Sequence, residues 1–257
     1  MTKEAWRNDS GLSGKSVVVT GAAGGIGSEI AVAFSEAGAH VLLVDIPGSG
    51  LSQVLSQLSG HGHAALEIDL TQISEHEEIF ESAERLGPFV ALTHCAAVLR
   101  RRGSIEEVTE EDWNTQIDVN LKASFFLNRA AYLALRKRNR QGSIVNFASQ
   151  GWWTGGFGGS VVYAASKGGL VSMTRGLARS FAPFGIRVNA VAPGGVETSM
   201  LRDGQSDEEM KNFISMIPLG RTAEPAEMTG AVLFLASNAS RYVTGTVLNV
   251  SGGQLIY

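Results

Sequence analysis

Short apolar runs alternate along this chain with longer stretches whose apolar positions recur every three or four residues. Ser16-Val17-Val18-Val19-Thr20 is β-branched and stops at glycine, the pattern of a strand buried on both faces. From Gly25 the period changes: Ile26, Ile30, Phe34 and Ala37 mark one helical face, and Gly38 ends it. Val41-Leu42-Leu43-Val44 is a second buried run, closed by Asp45. The same reading predicts helices near 50–58 and 73–86, strands at 64–68 and 89–94, one long helix over about 110–138, and a strand at 143–147. A Gly/Trp-rich loop at 150–160 leads into a helix over 161–182 and a strand at Ile186–Val191, which Pro193-Gly194-Gly195 breaks. A mobile stretch at about 199–220, a helix at 225–236 and a last strand near 246–250 complete the chain. Strands alternating with helices imply right-handed crossovers and an α/β fold, a doubly wound parallel sheet flanked by helices. Residues 1–14 read as a loose arm ahead of one domain, 15–257.

Composition narrows the function classes. With 257 residues, 44% of them hydrophobic, the chain can bury a substantial core. Net charge is −4 without a long basic stripe, which argues against nucleic acid as a partner, since such binding rests on neutralised phosphates. No apolar run approaches a membrane span, and Met1–Gly14 lacks an apolar signal core, so the expectation is a cytoplasmic enzyme. Cys95 is the single cysteine, so neither an intramolecular disulfide nor a cysteine zinc site can form. The five histidines do not cluster with carboxylates, and no catalytic metal is expected.

Candidate chemistry begins at Thr20-Gly21-Ala22-Ala23-Gly24-Gly25-Ile26-Gly27, after the first strand and opening the first helix. Glycines there let the backbone turn tightly and approach a pyrophosphate, and the helix N-terminus adds unpaired N–H groups. Asp45 lies 24 residues after Gly21, where a carboxylate accepts ribose hydroxyls and repels a 2′-phosphate. No Arg or Lys in the turn or just after Asp45 would hold that phosphate, so NAD is favoured over NADP on a Rossmann-like sheet. The upstream Gly11-Leu12-Ser13-Gly14-Lys15-Ser16 ends like a P-loop but precedes the strand instead of following it.

Tyr163 and Lys167 stand four apart, on one face if the segment is helical. An ammonium near a phenol favours phenolate; moving a phenol from about 10 toward 7 takes roughly 4 kcal/mol. A phenol so tuned takes the proton from an alcohol, or returns it to a ketone, while hydride moves at the carbon. Taken alone, this spacing is also that of an ordinary amphipathic surface helix.

In combination these motifs resemble the short-chain dehydrogenase/reductase family over about 15–253. Thr20–Gly27 matches that family's Thr-Gly-x-x-x-Gly-x-Gly turn, Asp69-Leu70 its adenine-contacting step, and Asn120 its helix asparagine. Ser149 matches the catalytic serine, and Tyr163 with Lys167 the Tyr-x-x-x-Lys pair. Pro193-Gly194, with Val196 and Thr198, matches the segment that holds the nicotinamide carboxamide, and Val247–Gly253 the closing strand. The resemblance implies that Tyr163 is the general acid/base and that Lys167 lowers its pKa and binds the nicotinamide ribose. It implies that Ser149 hydrogen-bonds the substrate oxygen, and that Asn120, through a kink in its helix, anchors a water in a proton relay to Lys167. A homotetramer with helix-to-helix interfaces follows from the same resemblance, the helices at 110–138 and 161–182 being the candidates.

Two departures stand out. Cys95-Ala96-Ala97 occupies the place of the family's Asn-Ala-Gly; the thiol is either a reactive site beside the cofactor or a small buried hydrophobe. Ser149 lies 14 residues before Tyr163, so the intervening loop is a local elaboration. Its Trp152, Trp153 and Phe157 either wall a substrate frame or pack against a neighbouring subunit. Met200, Leu201, Met210, Phe213 and Met216 lie in 199–217, a substrate lid by resemblance and equally an amphipathic helix by pattern. Arg100-Arg101-Arg102 follows the fourth strand and either reaches an acidic substrate or is a solvated charge run. The combined reading is an NAD-dependent oxidoreductase for a secondary alcohol or its ketone, with a small polyol, sugar or cyclic alcohol favoured. A 3-oxoacyl thioester reductase and a non-catalytic NAD-holding redox sensor are the alternatives.

Overall fold

Three consecutive valines set the centre of the sheet. In the computed structural model, which describes residues 10–156 and 158–256, strand β1 (Ser16–Thr20) is buried throughout. Alternate residues of a strand face opposite sides. Val17 and Val19 accordingly pack with Ile30, Phe34 and Val232 on one face, while Val18 meets Ile79, Phe80 and Leu127 on the other. This is the physical content of the uninterrupted apolar run: a strand with a core on each side.

The remaining strands are β2 (His40–Asp45), β3 (Ala64–Glu67), β4 (Phe89–His94), β5 (Gly142–Phe147), β6 (Ile186–Pro193) and β7 (Val247–Val250). They form one seven-stranded sheet in the order β3-β2-β1-β4-β5-β6-β7, with every pair parallel. The order reverses between β1 and β4, and the loops leaving their C-terminal ends diverge to open a crevice there.

The helices are α1 (Gly25–Glu36), α2 (Leu51–Leu55), α3 (His76–Leu86), α4 (Glu110–Ile117), α5 (Ser124–Lys137), α6 (Gly151–Thr154), α7 (Val161–Phe181), α8 (Ser199–Arg202), α9 (Asp207–Ser215) and α10 (Thr229–Ala236). Helices α1 and α10 cover one face of the sheet; α3, α5 and α7 cover the other.

Four expectations are revised. The long helix over 110–138 is two α-helices joined by a π-helical turn at Asp118–Ala123. The 150–160 loop holds α6 and a 3₁₀ turn at Gly158–Ser160; Phe157 lies outside the described residues. The 199–220 stretch folds into α8 and α9, and a capping box between Ser206 and Glu209 starts the latter. Of the N-terminal arm, residues 1–9 lie outside the described residues, but the rest is not loose. Leu12 is 1% exposed in the core, and Asn238 donates its backbone N–H to the Ser10 carbonyl at 2.9 Å.

Candidate active site

The glycine turn fits a role that no side chain could share. Gly21 has φ +65°, and a Cβ there would lie 2.6 Å from the Ala96 backbone nitrogen. A Cβ on Gly27 would lie 2.0 Å from the Gly21 carbonyl oxygen. Gly25 faces Thr198, whose methyl would stand 3.2 Å from an added Cβ, so the segment after β6 closes over the start of α1. No side chain caps the N-terminus of α1, and no acid sits in its first turn. Backbone N–H groups and the positive end of the helix are thereby left facing the crevice, as an anionic pyrophosphate requires. Ile26 is partly buried against the core behind this turn.

Asp45 ends β2 beside the turn and holds it. One carboxylate oxygen accepts the Ala23 N–H at 2.9 Å and the other the Ile46 N–H at 2.8 Å. Asp69 accepts both the N–H and the hydroxyl of Thr71 at 2.9 Å, and Leu70 is buried beneath it. Asp69 lines a cleft of about 640 Å³ that Ile46 and Thr71 border on the sheet side and Glu110, Glu111, Asn114, Thr115, Asp118 and Val119 on the side of α4 and the π-helical turn. Ile46, 55% exposed, and Val119 offer that cleft apolar surface suited to a flat base. The sequence reading named neither, although Ile46 directly follows the expected acid.

The acid/base candidates converge at the ends of β5 and α7. Ser149 follows β5, and its hydroxyl is hydrogen-bonded to the Tyr163 phenol. Lys167 is 2% exposed, and its Nζ lies 5.6 Å from the Tyr163 ring centroid. That ammonium donates to the Phe147 carbonyl at 2.8 Å, and no carboxylate pairs with it among the described residues. A buried ammonium with one protein acceptor retains donors for a further polar group, as a ribose would supply. Together with the glycine turn, this makes the residues present fit a nicotinamide dinucleotide.

Burial works against the expected tuning of the phenol, which rests on one close cation together with a bound nicotinium. Burial pushes the Tyr163 phenol up to about 12, and only the Ser149 hydroxyl opposes that. Burial likewise lowers Lys167 to about 8. The Lys167 ammonium, 5.6 Å from the ring centroid, does not by itself overcome that desolvation. Burial also raises the Cys95 thiol well above its ordinary value, which favours the protonated form, and Cys95 packs partly buried against the core. Its N–H donates to the Thr20 carbonyl at 3.1 Å.

Asn120 sits in the π-helical turn, so the expected kink is present. Its side-chain amide clasps Val98, accepting the backbone N–H and donating to the carbonyl, each at 2.8 Å, and it also donates to the Ser166 hydroxyl at 3.2 Å. Ser166 in turn donates to the Tyr163 carbonyl at 2.7 Å. Sequence reasoning missed the partner of this clasp, His94. Its Nδ1 lies 2.7 Å from the Thr20 hydroxyl and its Nε2 2.7 Å from the Ser124 hydroxyl, which donates to the Asn120 carbonyl at 2.8 Å. Because Ser124 spends its proton on Asn120, His94 donates from Nε2 and accepts at Nδ1. Burial, aided by the charges of Lys167 and His76, lowers His94 to about 3 and keeps it neutral. No local spacing announces contacts that span 74 and 30 residues.

These pairings form a column. Asp112, Gln116, Asn120 and Ser124, all buried, meet Arg102, Arg100, Val98 and His94 in antiparallel order. Arg102 binds Asp112 with both nitrogens of its fork, at 2.8 and 2.6 Å, and Arg101 reaches the backbone of the 199–217 segment. The arginine run is thus largely committed to the protein.

The remaining candidates divide. Pro193 accepts the Gln150 N–H at 2.9 Å, and a Cβ on Gly194 would lie 2.8 Å from the Ser251 Cα. Val196 is buried and bridges to Ala223, and Thr198 caps α8. All four lie at or just beyond the C-terminal end of β6. Trp152 packs with Ala148, Val171, Ala190 and Ala192 and under Arg175, so its position is that of a packing residue more than a substrate wall. Trp153 is 57% exposed and stands edge-on to Trp152. Met210 is buried under α9, whereas Met200 and Met216 face outward. Among the described residues no cluster of metal-ligating side chains occurs, and no helix is long and apolar enough to cross a membrane.

Comparison with known proteins places this geometry. Residues 21–254 match the family model described as enoyl-(acyl carrier protein) reductase. The chain is 35% identical to galactitol 2-dehydrogenase (L-tagatose-forming) of Cereibacter sphaeroides, over 96% of this chain and 97% of that one. It is 36% identical to the 3-oxoacyl-[acyl-carrier-protein] reductase of Thermotoga maritima, over 95% and 99%. An Agrobacterium tumefaciens structure described as a 2-deoxy-D-gluconate 3-dehydrogenase with bound NADP superposes with a TM-score of 0.87 at 35% identity, covering 96% of this chain and 99% of its own. The chain belongs to the short-chain dehydrogenase/reductase family. It is an NAD(P)-dependent oxidoreductase that acts on a CH–OH group or the corresponding ketone. The NADP-bound neighbour stands against the expectation, drawn from Asp45, that NADP ranks below NAD; the likenesses support NAD(P) without ranking the two.

Proposed function

We propose that this chain oxidises a secondary hydroxyl of a small neutral polyol, sugar or cyclic alcohol, with Tyr163 as general base and NAD as the preferred coenzyme. The observation that carries the reading is the Ser149–Tyr163 hydroxyl pair beside a buried, carboxylate-free Lys167, at the mouth of a glycine cradle. A nicotinamide dinucleotide held by the glycine turn and Lys167 would supply the hydride acceptor for the carbinol carbon.

Ser149 and Tyr163 bracket one substrate oxygen. Tyr163 receives the hydroxyl proton, and Ser149 donates a hydrogen bond to the oxygen as it becomes a carbonyl. Lys167 orients the cofactor ribose with the donors that Phe147 leaves over and adds its charge below the phenol. The Asn120 carbonyl, which has a second lone pair beyond the Ser124 bond, is the anchor for a water leading to Lys167. Arg102 is tied to Asp112 and Arg101 to backbone carbonyls, so of the three arginines only the exposed Arg100 is left for an anion, which supports a neutral substrate. Likeness to the galactitol enzyme supports the polyol class, and likeness to the Thermotoga enzyme supports 3-oxoacyl thioester reduction as the second reading. Asp45 supports NAD, because a 2′-phosphate beside its carboxylate would meet like charge. Exposed Phe125 and Leu133 on α5 support assembly into a homotetramer through helix faces, which light scattering would test.

The deciding experiment assays purified protein with NAD and NADP against polyols, cyclic alcohols and a 3-oxoacyl thioester. Tyr163→Phe should lower turnover by about 10³-fold while binding coenzyme normally. Undiminished turnover in that variant would sink the mechanism, and preference for the thioester would sink the substrate class. Asp45→Ala should narrow the NAD:NADP ratio of kcat/KM; an unchanged ratio removes the case for NAD.

A further inference from the structure

Arg101 projects from a segment with very little freedom. Residues on both sides are pinned to the helix face below: Val98 by the Asn120 amide, the Arg100 N–H by Gln116 Oε1 at 3.1 Å, and Arg102 by Asp112. Gly159 lies so close above Arg102 that an added Cβ would stand 2.4 Å from the Arg102 Cβ. From this platform the Arg101 guanidinium crosses the mouth of the crevice to α8. There it donates to the Asp203 carbonyl and, at 3.4 Å, to the Leu201 carbonyl. These carbonyls end a helical turn and have no helical donor of their own, so a cation there satisfies acceptors and meets their negative partial charge.

The segment so held borders the site at two further points. Thr198, which caps α8, sits against Gly25 of the cradle, and Phe213 of α9 stands where a Cβ on Gly195 would be 2.4 Å from its ring. The α8–α9 segment therefore packs on the β6 side of the crevice and is tied to the β4 side through Arg101. The Arg101 charge also reaches Glu209, the residue that closes the α9 capping box.

We propose that Arg101 is a positioning residue that fixes α8–α9 over the substrate entrance, and so governs how tightly the alcohol is captured without touching it. This rests on the reading of the crevice as the alcohol site. A single cation bridging two loops 100 residues apart in sequence gives Arg101 a role that needs no anionic substrate.

Two measurements on the full chain test it. Hydrogen exchange followed by mass spectrometry should show peptides covering 199–204 exchanging roughly tenfold faster in Arg101→Ala, with β1 and β4 unchanged as a control for folding. With the alcohol that the screen identifies, KM should rise roughly tenfold while the coenzyme dissociation constant stays put. Arg101→Lys should recover part of both effects, since an ammonium can still reach one carbonyl. Unchanged exchange over 199–217 overturns the anchor, and that result is independent of whether any alcohol is turned over. Faster exchange with an unchanged KM overturns the claim that the anchor governs capture. If the wild type oxidises no alcohol, the functional reading fails while the exchange result still decides the anchor.

Discussion

The cofactor side and the substrate side of the crevice are built by different means. On the cofactor side the backbone makes the surface: glycine positions, strand ends and a helix start, with contacts set by atoms that cannot move aside. On the substrate side, side chains reach between loops: Arg101 to α8, Phe213 onto Gly195, Trp153 outward from α6. A backbone surface tolerates almost no substitution and leaves a mark in the sequence. A side-chain surface is adjustable and leaves little.

The sharpest way to break that contrast is Gly27→Ala. The new methyl would meet the Gly21 carbonyl at 2.0 Å with only backbone to displace, so the turn itself must move. We expect a loss of about 3 kcal/mol, seen as a fall of about 100-fold in coenzyme affinity or as an equivalent loss of stability. Normal affinity measured by calorimetry, with a normal denaturation midpoint, would show that the cradle is softer than its geometry states.

Lys167→Met probes the seam between the two sides. Lys167 has a folded pKa near 8 against an ordinary 10.5, so the folded state binds its proton less readily than the unfolded one. The cost of charging it is full below pH 8 and disappears as pH rises through 10.5. Removing it should gain about 3 kcal/mol at pH 7, less about 1 for the lost bond to Phe147. The variant should thus be about 2 kcal/mol more stable and catalytically dead, and its advantage should shrink at alkaline pH. A destabilised variant in urea titrations at pH 7 would mean that the buried charge is better compensated than its neighbours suggest.

The smallest effects separate the tryptophans. Trp152→Ala empties a packed position and should cost about 3 kcal/mol, whereas Trp153→Ala should change stability by under ~0.5 kcal/mol. If Trp153 covers substrate, its removal raises KM alone. If both variants leave KM unchanged, the aromatic wall is not part of substrate recognition.

What the sequence disclosed follows the same division. Strands buried on both faces appear as apolar runs because nothing polar is tolerated there, and β1, β2, β4 and β5 fall where that pattern puts them. Asp45 lies against the glycine turn, and Ser149, Tyr163 and Lys167 gather where β5 ends and α7 begins, positions that spacing and resemblance had singled out. The π-helical turn escaped because its evidence is polar. Asp112, Gln116, Asn120, Ser124 and Asn128 are the buried stripe of that helix, and a search for apolar periodicity passes over all five. His94 escaped because its partners are hydroxyls far away in the chain, where a search for carboxylates and metal ligands finds nothing. The burial that raises Tyr163 escaped because spacing reports neighbours and not desolvation.

The polar column has a consequence for how this molecule can vary. Its buried positions recur in steps of four, and an α-helix of 3.6 residues per turn would carry such a stripe around its axis. The wider turn at Asp118–Ala123 takes up that drift and keeps Asn120 and Ser124 in line with Asp112 and Gln116. A regular helix covers in five residues about the angle that the wider turn covers in six, so deleting one residue there would restore a regular helix and leave α5 nearly in place. Leu127, Ala131 and Leu135 would keep their places in the core, and the rung lost would be the one the extra residue serves, Asn120 against Val98. The molecule can therefore give up one residue here and still fold, but only by giving up the amide and carbonyl that Asn120 holds beside the site.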